Sequence, residues 1–112
     1  MSKPTVICLC GSTKFKEQFI KINFEETMAG NIILTVGFFA HTDSEIYIPT
    51  DKEKEDLDEL HFRKIDLSDE IMVINVGGYI GESTRNEINY AKSLGKPITY
   101  LEESYYTMVK IK

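Results

Sequence analysis

The sequence has no tryptophan, only two cysteines and three prolines, and no apolar run longer than five residues. A membrane-spanning helix needs about 20 apolar residues, so we expect no membrane partner. Two cysteines, Cys8 and Cys10, are too few for a disulfide framework or a zinc site, and we expect reduced thiols and no metal. Residues 1–4 lack the apolar core and cleavage site of a signal peptide, which predicts a cytoplasmic protein.

Positive charge is also in short supply. The chain has 13 Lys and Arg against 18 Asp and Glu, which gives a net charge of −5. An acidic chain has no general attraction for DNA, RNA or anionic lipid, so we expect no nucleic-acid partner. A local phosphate site stays compatible with this charge, because backbone N–H groups can form one. The 112 residues and 42% hydrophobic content fit a single globular domain over residues 1–112.

Four short apolar runs alternate with helical segments along the chain. The runs cover residues 6–10, 32–36, 71–74 and 98–101, and those at 6–10 and 71–74 are apolar throughout, which is typical of strands buried on both faces. The helical segments cover 14–29, Asp51 to about Leu67 with Asp51 as its cap, and Ser83 or Thr84 to Leu94. This order predicts an α/β fold with a parallel sheet and right-handed crossovers. Residues 105–109 are a candidate fifth, edge strand.

The first helical segment carries two apolar stripes. The stripe predicted to cover the sheet consists of Phe15, Phe19 and Ile22. The stripe on the opposite side consists of Ile20, Phe24 and Met28. A second apolar stripe needs a neighbour, so we expect a homo-oligomer, a dimer or larger.

Ligands of parallel α/β folds bind at the carboxyl ends of the strands. Four segments meet that condition: Gly11 to Thr13, the loop 37–50, the turn Asn75 to Thr84, and Glu102-Glu103. The candidate binding residues among them are Gly11, Ser12, Thr13, Asn75, Gly81, Ser83 and Thr84. His41 lies in the loop 37–50 and has no evident partner.

The first of these segments, Gly11-Ser12-Thr13, supports two interpretations. Its glycine, hydroxyls and helix-start N–H groups suit a phosphate. Alternatively, it is a tight strand-to-helix turn in which Ser12 or Thr13 is the N-cap. The segment matches neither a P-loop nor the dinucleotide-binding fingerprint, because the further glycines and the Gly-Lys-Ser/Thr ending are missing.

Glu87 follows a turn with glycines at 77, 78 and 81 and also has two interpretations. Thr84-x-x-Glu87 is a formal capping box, in which Glu87 would accept a hydrogen bond from the Thr84 N–H. On the helical wheel, however, Glu87 shares the inward side of Ala91 and Leu94. An inward carboxylate beside a glycine-rich crevice is suited to act as a nucleophile. The residues alone leave both interpretations open.

His61 lies on the inner side of the second helical segment. With Leu57 at 0°, His61 falls at about 40° and Ile65 at about 80°. It is either a core-edge histidine hydrogen-bonded to backbone or an acid/base group. Two neighbouring features have simpler interpretations: Ser68-Asp69 is turn chemistry, and residues 51–59 form a solvated charged face.

Taken together, these motifs resemble the nucleoside 2-deoxyribosyltransferase-like superfamily, which includes deoxynucleoside-monophosphate N-glycosidases. The resemblance covers about residues 5 to 102. It rests on the segment Val6 to Ser12, on Ser68-Asp69, and on Gly81-x-Ser-Thr84-x-x-Glu87-x-x-x-Ala91. It implies a three-layer flavodoxin-like sheet of order 2-1-3-4, with a candidate fifth strand and helices on both faces. It also implies homo-oligomers whose sites borrow residues from a neighbour, and no cofactor.

The resemblance implies N-glycosidic bond chemistry on a nucleoside or nucleoside 5′-monophosphate. Glu87 would attack the anomeric carbon of a 2-deoxyribose, and a second base or water would then release the sugar. Gly11, Ser12, Ser83 and Thr84 would hold the sugar or a 5′-phosphate. The family usually places an aspartate eight residues ahead of the position matched by Asp69, and here that residue is His61. An imidazole can act as an acid near neutral pH.

Two alternatives accompany this expectation. The pairs Gly77-Gly78 and Thr84-x-x-Glu87 also resemble the glycine turn of the lysine-decarboxylase-like phosphoribohydrolases, which cleave an N-glycosidic bond of a nucleotide. The other alternative is a non-catalytic nucleotide-binding or sensor module that keeps the same crevice.

Overall fold

The computed structural model describes residues 3–39 and 48–102. The candidate edge strand at residues 105–109, His41 and Glu103 lie outside the described residues.

Four parallel strands form one sheet, with helices on both of its faces. In chain order the elements are β1 (Val6–Gly11), α1 (Lys16–Met28), β2 (Ile32–Leu34), α2 (Asp51–Leu67), β3 (Glu70–Ile74), α3 (Glu82–Ser93) and β4 (Ile98–Tyr100). The strand order is β2-β1-β3-β4. The predicted α/β class, the parallel sheet and its order are therefore confirmed.

The segment before β3 fixes the register of the two central strands. The Asp69 carboxylate accepts a hydrogen bond from the Val6 N–H at 2.8 Å, and the Asp69 N–H donates to the Val6 carbonyl at 2.7 Å. The Ser68 hydroxyl donates to the Ile65 carbonyl at 2.7 Å and so closes α2. Ser68-Asp69 is thus turn chemistry at the amino-terminal edge of the sheet, as predicted.

The alternation of side chains along β1 divides the core into two halves. Ile7 and Leu9 pack with Phe19 and Ile22 of α1 on one face. The other face belongs to α2 and α3, and its buried residues are Cys8, Cys10, Ile65, Ile71, Val73, Ile88 and Ala91. Both cysteines therefore point towards α2 and α3.

Helix α1 buries one of its two predicted stripes. Phe19 and Ile22 are buried against the sheet, whereas Ile20, Phe24 and Met28 are 55%, 65% and 72% exposed. The helix begins later than predicted, because residues 13–15 form a turn of 3₁₀ helix before it. We call Ile20, Phe24 and Met28 the outer stripe of α1.

Two predicted helix caps are wrong. Helix α2 is capped by Thr50 rather than Asp51, since the Thr50 hydroxyl accepts from the Glu53 N–H and the Glu53 carboxylate accepts from the Thr50 N–H. Helix α3 begins at Glu82 with Gly81 as its N-cap, so Thr84 is already the third helical residue. The capping-box interpretation of Thr84-x-x-Glu87 therefore does not hold.

Within the described parts of the chain, no helix combines the length and the apolar character that crossing a bilayer requires.

Candidate functional site

Four chemically reactive side chains meet on the face of the sheet covered by α2 and α3. His61 of α2 places its Nε2 atom 3.6 Å from the Cys8 Sγ and 3.5 Å from the Cys10 Sγ. The same Nε2 lies 3.9 Å from the Glu87 Oε1 of α3. We call Cys8, Cys10, His61 and Glu87 the thiol–imidazole–carboxylate cluster. It brings together the two catalytic candidates predicted from the sequence.

The cluster is almost fully shielded from solvent. Cys8 and Cys10 have no exposed surface. The side chains of His61 and Glu87 keep 9% and 12% of theirs. The solvent-accessible surface that remains in the cluster therefore belongs to the imidazole and the carboxylate. The inward direction of Glu87, expected from the helical wheel, is confirmed.

Burial also shifts the pKa values of Glu87 and His61, the acid–base pair of the cluster. Desolvation raises the pKa of Glu87 to about 7, although the nearby His61 lowers it in part. For His61, burial lowers the pKa, but the hydrogen bond and charge of Cys8 and the charge of Glu87 outweigh it, so the pKa lies above its usual value. The negative charge of Glu87 and the positive charge of His61 thus stabilise each other at a site shielded from solvent.

The two thiols differ strongly in acidity. A hydrogen bond from Cys10 lowers the pKa of the Cys8 thiol to about 6, against the effect of burial and with further help from His61. The hydrogen bond to Cys8 and burial raise the pKa of the Cys10 thiol well above its usual value. The pair therefore favours one thiolate, at Cys8, facing the imidazole.

The first predicted binding segment has structural partners for two of its residues. The Ser12 hydroxyl accepts from the Lys14 N–H at 3.3 Å and is the N-cap of the 3₁₀ turn. A Cβ on Gly11 would lie 2.9 Å from the Ile74 carbonyl oxygen, so the close approach of β3 already requires glycine there. Thr13 is exposed next to them. The capping interpretation of Ser12 is confirmed.

The glycine turn after β3 is held by the end of β4. The Gly77 N–H donates to the Glu102 carboxylate at 2.7 Å, and the Glu102 N–H donates to the Asn75 Oδ1 at 2.9 Å. Gly77 and Gly78 have φ values of 63° and 82°, a left-handed backbone that favours glycine. Asn75 is fully buried, and its Nδ2 has no hydrogen-bond partner among the described residues. In this structure Asn75 shapes the turn.

The remaining candidate residues lie around the start of α3. Ser83 is exposed and its hydroxyl accepts from the Lys54 Nζ at 3.3 Å, whereas Thr84 is buried. A Cβ on Gly81 would lie 3.3 Å from the Tyr79 hydroxyl. The Lys14 Nζ lies 3.5 Å from the centre of the Tyr79 ring. A cation and an aromatic ring therefore connect the two predicted binding segments.

A shallow cavity of about 210 Å³ lies on the other side of α3. Its lining residues are Ile80, Arg85, Ile88, Asn89, Lys92 and Tyr100. Glu87 lies outside that lining. This cavity and the thiol–imidazole–carboxylate cluster are separate features of the described residues.

The part that the cysteines play in the cluster was not predicted from the sequence. The C-x-C spacing predicted that both thiols share one face of β1. A link to His61 depends on how α2 packs on the sheet, across more than 50 residues of chain. The inward phase of His61 was the one local signal for that contact.

No protein-family model matches the sequence, and a search of curated proteins found no match either. A functional assignment therefore depends on the fold and on the geometry of the cluster.

Proposed function

We propose that the protein cleaves the N-glycosidic bond of a deoxynucleoside or deoxynucleoside 5′-monophosphate, or transfers its base, with Glu87 as the nucleophile. The observation that carries this proposal is the buried acid–base pair, in which the Glu87 Oε1 lies 3.9 Å from the His61 Nε2. Burial of an unpaired carboxylate is costly, and His61 is the partner that offsets this cost at Glu87. Because Gly81 and not Thr84 is the N-cap of the described α3, Glu87 does not have the capping role that was its other interpretation.

The reaction requires two displacements at the anomeric carbon. The ionised Glu87 attacks C1′ and forms an ester with it, while the C1′–N bond breaks and its electron pair leaves with the base. The departing base takes up a proton from water. A water molecule or a second base then attacks C1′ and releases the Glu87 carboxylate. Water gives hydrolysis, and a second base gives transfer.

His61 acts through Glu87 in this proposal. Its Nε2 is surrounded by Cys8, Cys10 and Glu87, so the imidazole faces the nucleophile. A protonated imidazole favours the ionised carboxylate and fixes its orientation. His61 is thus a positioning residue in the place where the family that the sequence resembles carries an aspartate.

We assign the substrate contacts to two segments, residues 13–14 after β1 and residues 79–83 at the start of α3. Thr13 and Ser83 are exposed, and Lys14 supplies a positive charge beside the Tyr79 ring. A 5′-phosphate needs such hydroxyl and cationic groups, and a nucleobase or sugar can pack on an aromatic ring. These groups support a nucleotide in preference to a free nucleoside.

The direct test is release of free base from deoxynucleosides and their 5′-monophosphates, measured by chromatography. We expect turnover by the wild-type protein, none by Glu87→Gln, and slower turnover by His61→Ala. The matched control is Glu82→Gln, because Glu82 is an exposed carboxylate in the first turn of the same helix. Equal turnover by Glu87→Gln and Glu82→Gln would contradict the proposal.

A second candidate is a non-catalytic nucleotide-binding module. It is favoured by the position of the 210 Å³ cavity, which lies away from Glu87 and next to Arg85 and Lys92. This candidate predicts a rise in melting temperature with deoxynucleotides but no released base. The two candidates therefore separate in the same set of samples.

The outer stripe of α1 supports a homo-oligomer as part of this proposal. Three exposed apolar side chains on one helix face form a surface that a second subunit would cover. We place the protein in the cytoplasm, as expected for reduced thiols, with a small nucleotide as its partner and no nucleic acid.

A further inference from the structure

Three potential metal ligands converge inside the protein. The Cys8 Sγ, the Cys10 Sγ and the His61 Nε2 all lie within 4.8 Å of one another. Among residues 3–39 and 48–102, no other group of three histidine, cysteine or acidic side chains lies close enough together to hold an ion. Two thiolates and an imidazole are the donors that zinc prefers.

The distances from the imidazole to the two sulfurs match those around a tetrahedral ion. Zinc–sulfur bonds of about 2.3 Å and zinc–nitrogen bonds of about 2.0–2.1 Å place sulfur and nitrogen about 3.5–3.6 Å apart at the tetrahedral angle. The observed distances from the His61 Nε2 to the Cys10 and Cys8 sulfurs are 3.5 and 3.6 Å. Both sulfurs lie on the same strand and the imidazole on a helix packed against it, so the ligands are held by regular structure.

We propose that Cys8, Cys10 and His61 bind one zinc ion per chain, with the fourth coordination position on the side of Glu87. Two cysteine thiolates balance the charge of the ion, which makes a buried site electrostatically acceptable. Binding would release the thiol protons to solvent. The expectation of no metal was based on the number of cysteines and did not include a ligand from α2.

His61 and Glu87 are the members of the cluster nearest to solvent, with 9% and 12% of their side-chain surface exposed. The Glu87 Oε1 lies 3.9 Å from the His61 Nε2, so this carboxylate is a neighbour of the three ligands and not one of them.

Zinc binding at this site does not depend on the proposed N-glycosidase function. A bound ion would occupy the Nε2 atom of His61 that otherwise faces Glu87, so a chain that holds zinc does not keep the His61–Glu87 pair of the proposed reaction. Base release is therefore measured on the metal-free protein, and metal binding is measured without any nucleotide. If zinc does not bind, base release still tests the proposed reaction, and if no base is released, the zinc titration still tests the metal site.

The test uses purified full-length protein that has been stripped of metal under reducing conditions. Zinc is titrated against a chromophoric chelator to obtain stoichiometry and affinity, and cobalt(II) replaces zinc for absorption spectroscopy. We expect one ion per chain and the intense visible bands and sulfur-to-cobalt charge transfer of a tetrahedral thiolate site. Cys10→Ser and His61→Ala should weaken zinc binding by about 100-fold or more.

Glu87→Gln is the matched variant, because it changes the neighbour of the site and keeps the three ligands. It should still bind one zinc ion per chain. Circular dichroism of each metal-free variant checks its folding, and if Cys10→Ser does not fold, the cobalt spectrum of the wild-type protein decides the question. The inference is overturned by less than one ion per wild-type chain, by a cobalt spectrum without thiolate bands, or by unchanged binding in folded Cys10→Ser.

Discussion

Gly11 connects β1 to the first predicted binding segment, and replacing it with alanine tests how tightly the central strands pack. Gly11 pairs with Ile74 across the β1–β3 ladder. An alanine Cβ would lie 2.9 Å from the Ile74 carbonyl oxygen, 3.1 Å from the Ile74 Cβ and 3.3 Å from the Phe19 Cζ. The first two atoms belong to a buried strand and cannot move without disturbing the sheet. The added methyl group therefore forces the backbone to shift.

Overpacking of this kind costs about 1–3 kcal/mol. A glycine-to-alanine change in a compatible backbone gains about 0.4–1 kcal/mol through the unfolded state, which offsets part of that cost. We expect a net loss of about 1–2 kcal/mol in the free energy of unfolding of Gly11→Ala. In urea titrations followed by circular dichroism, the midpoint should fall while the slope stays unchanged.

Gly37→Ala is the matched control for this prediction. Among the described residues, nothing lies within 4 Å of a Cβ built on Gly37, and its φ is outside the left-handed region. The control should match the wild type or exceed it by about 0.4–1 kcal/mol. If Gly11→Ala were as stable as Gly37→Ala, the close contact with Ile74 would be refuted, and Gly11 would be better explained as a ligand contact.

Individual contacts at two helix ends and one exposed helix face give three more predictions. Thr50→Ala removes one half of the α2 capping box and should lower the free energy of unfolding by about 1 kcal/mol in denaturant titrations. The Lys96 Nζ donates to the carbonyls of residues 65, 66 and 68 at the end of α2. Lys96→Met should therefore lower the melting temperature by an amount that corresponds to about 1–2 kcal/mol of stability. The control Lys92→Met, at an exposed position, should leave the melting temperature unchanged. Phe24→Lys places a charge in the outer stripe of α1 and should convert an oligomer into monomers in light scattering; a wild-type monomer would contradict the predicted assembly.

The order of the elements could be predicted from the sequence because the two central strands contain continuous apolar runs and helical segments separate the four strand segments. The ends of the elements were less predictable. Asp51 and Thr84 both had the residue type and spacing of a cap, but Thr50 and Gly81 are the N-caps instead. Several neighbouring residues can satisfy the same backbone groups, so local chemistry alone does not select one of them.

The acid–base part of the candidate site was predictable from helical phase, since both His61 and Glu87 face the sheet. The contribution of Cys8 and Cys10 was not, because it depends on the packing of α2 and α3 over one face of β1. The resemblance to a known family likewise gave no indication of thiols beside the imidazole.

The proposed reaction depends on one claim, that the Glu87 carboxylate forms a covalent bond to the sugar. The most direct test is intact-mass spectrometry of the protein after incubation with deoxynucleotides whose 2′-fluoro substituent slows release of the sugar from the enzyme, followed by peptide mapping. We predict a sugar-phosphate adduct on Glu87 in the wild-type protein and none in Glu87→Gln. Release of free base with no adduct at Glu87, or with an adduct on another residue, would contradict that claim.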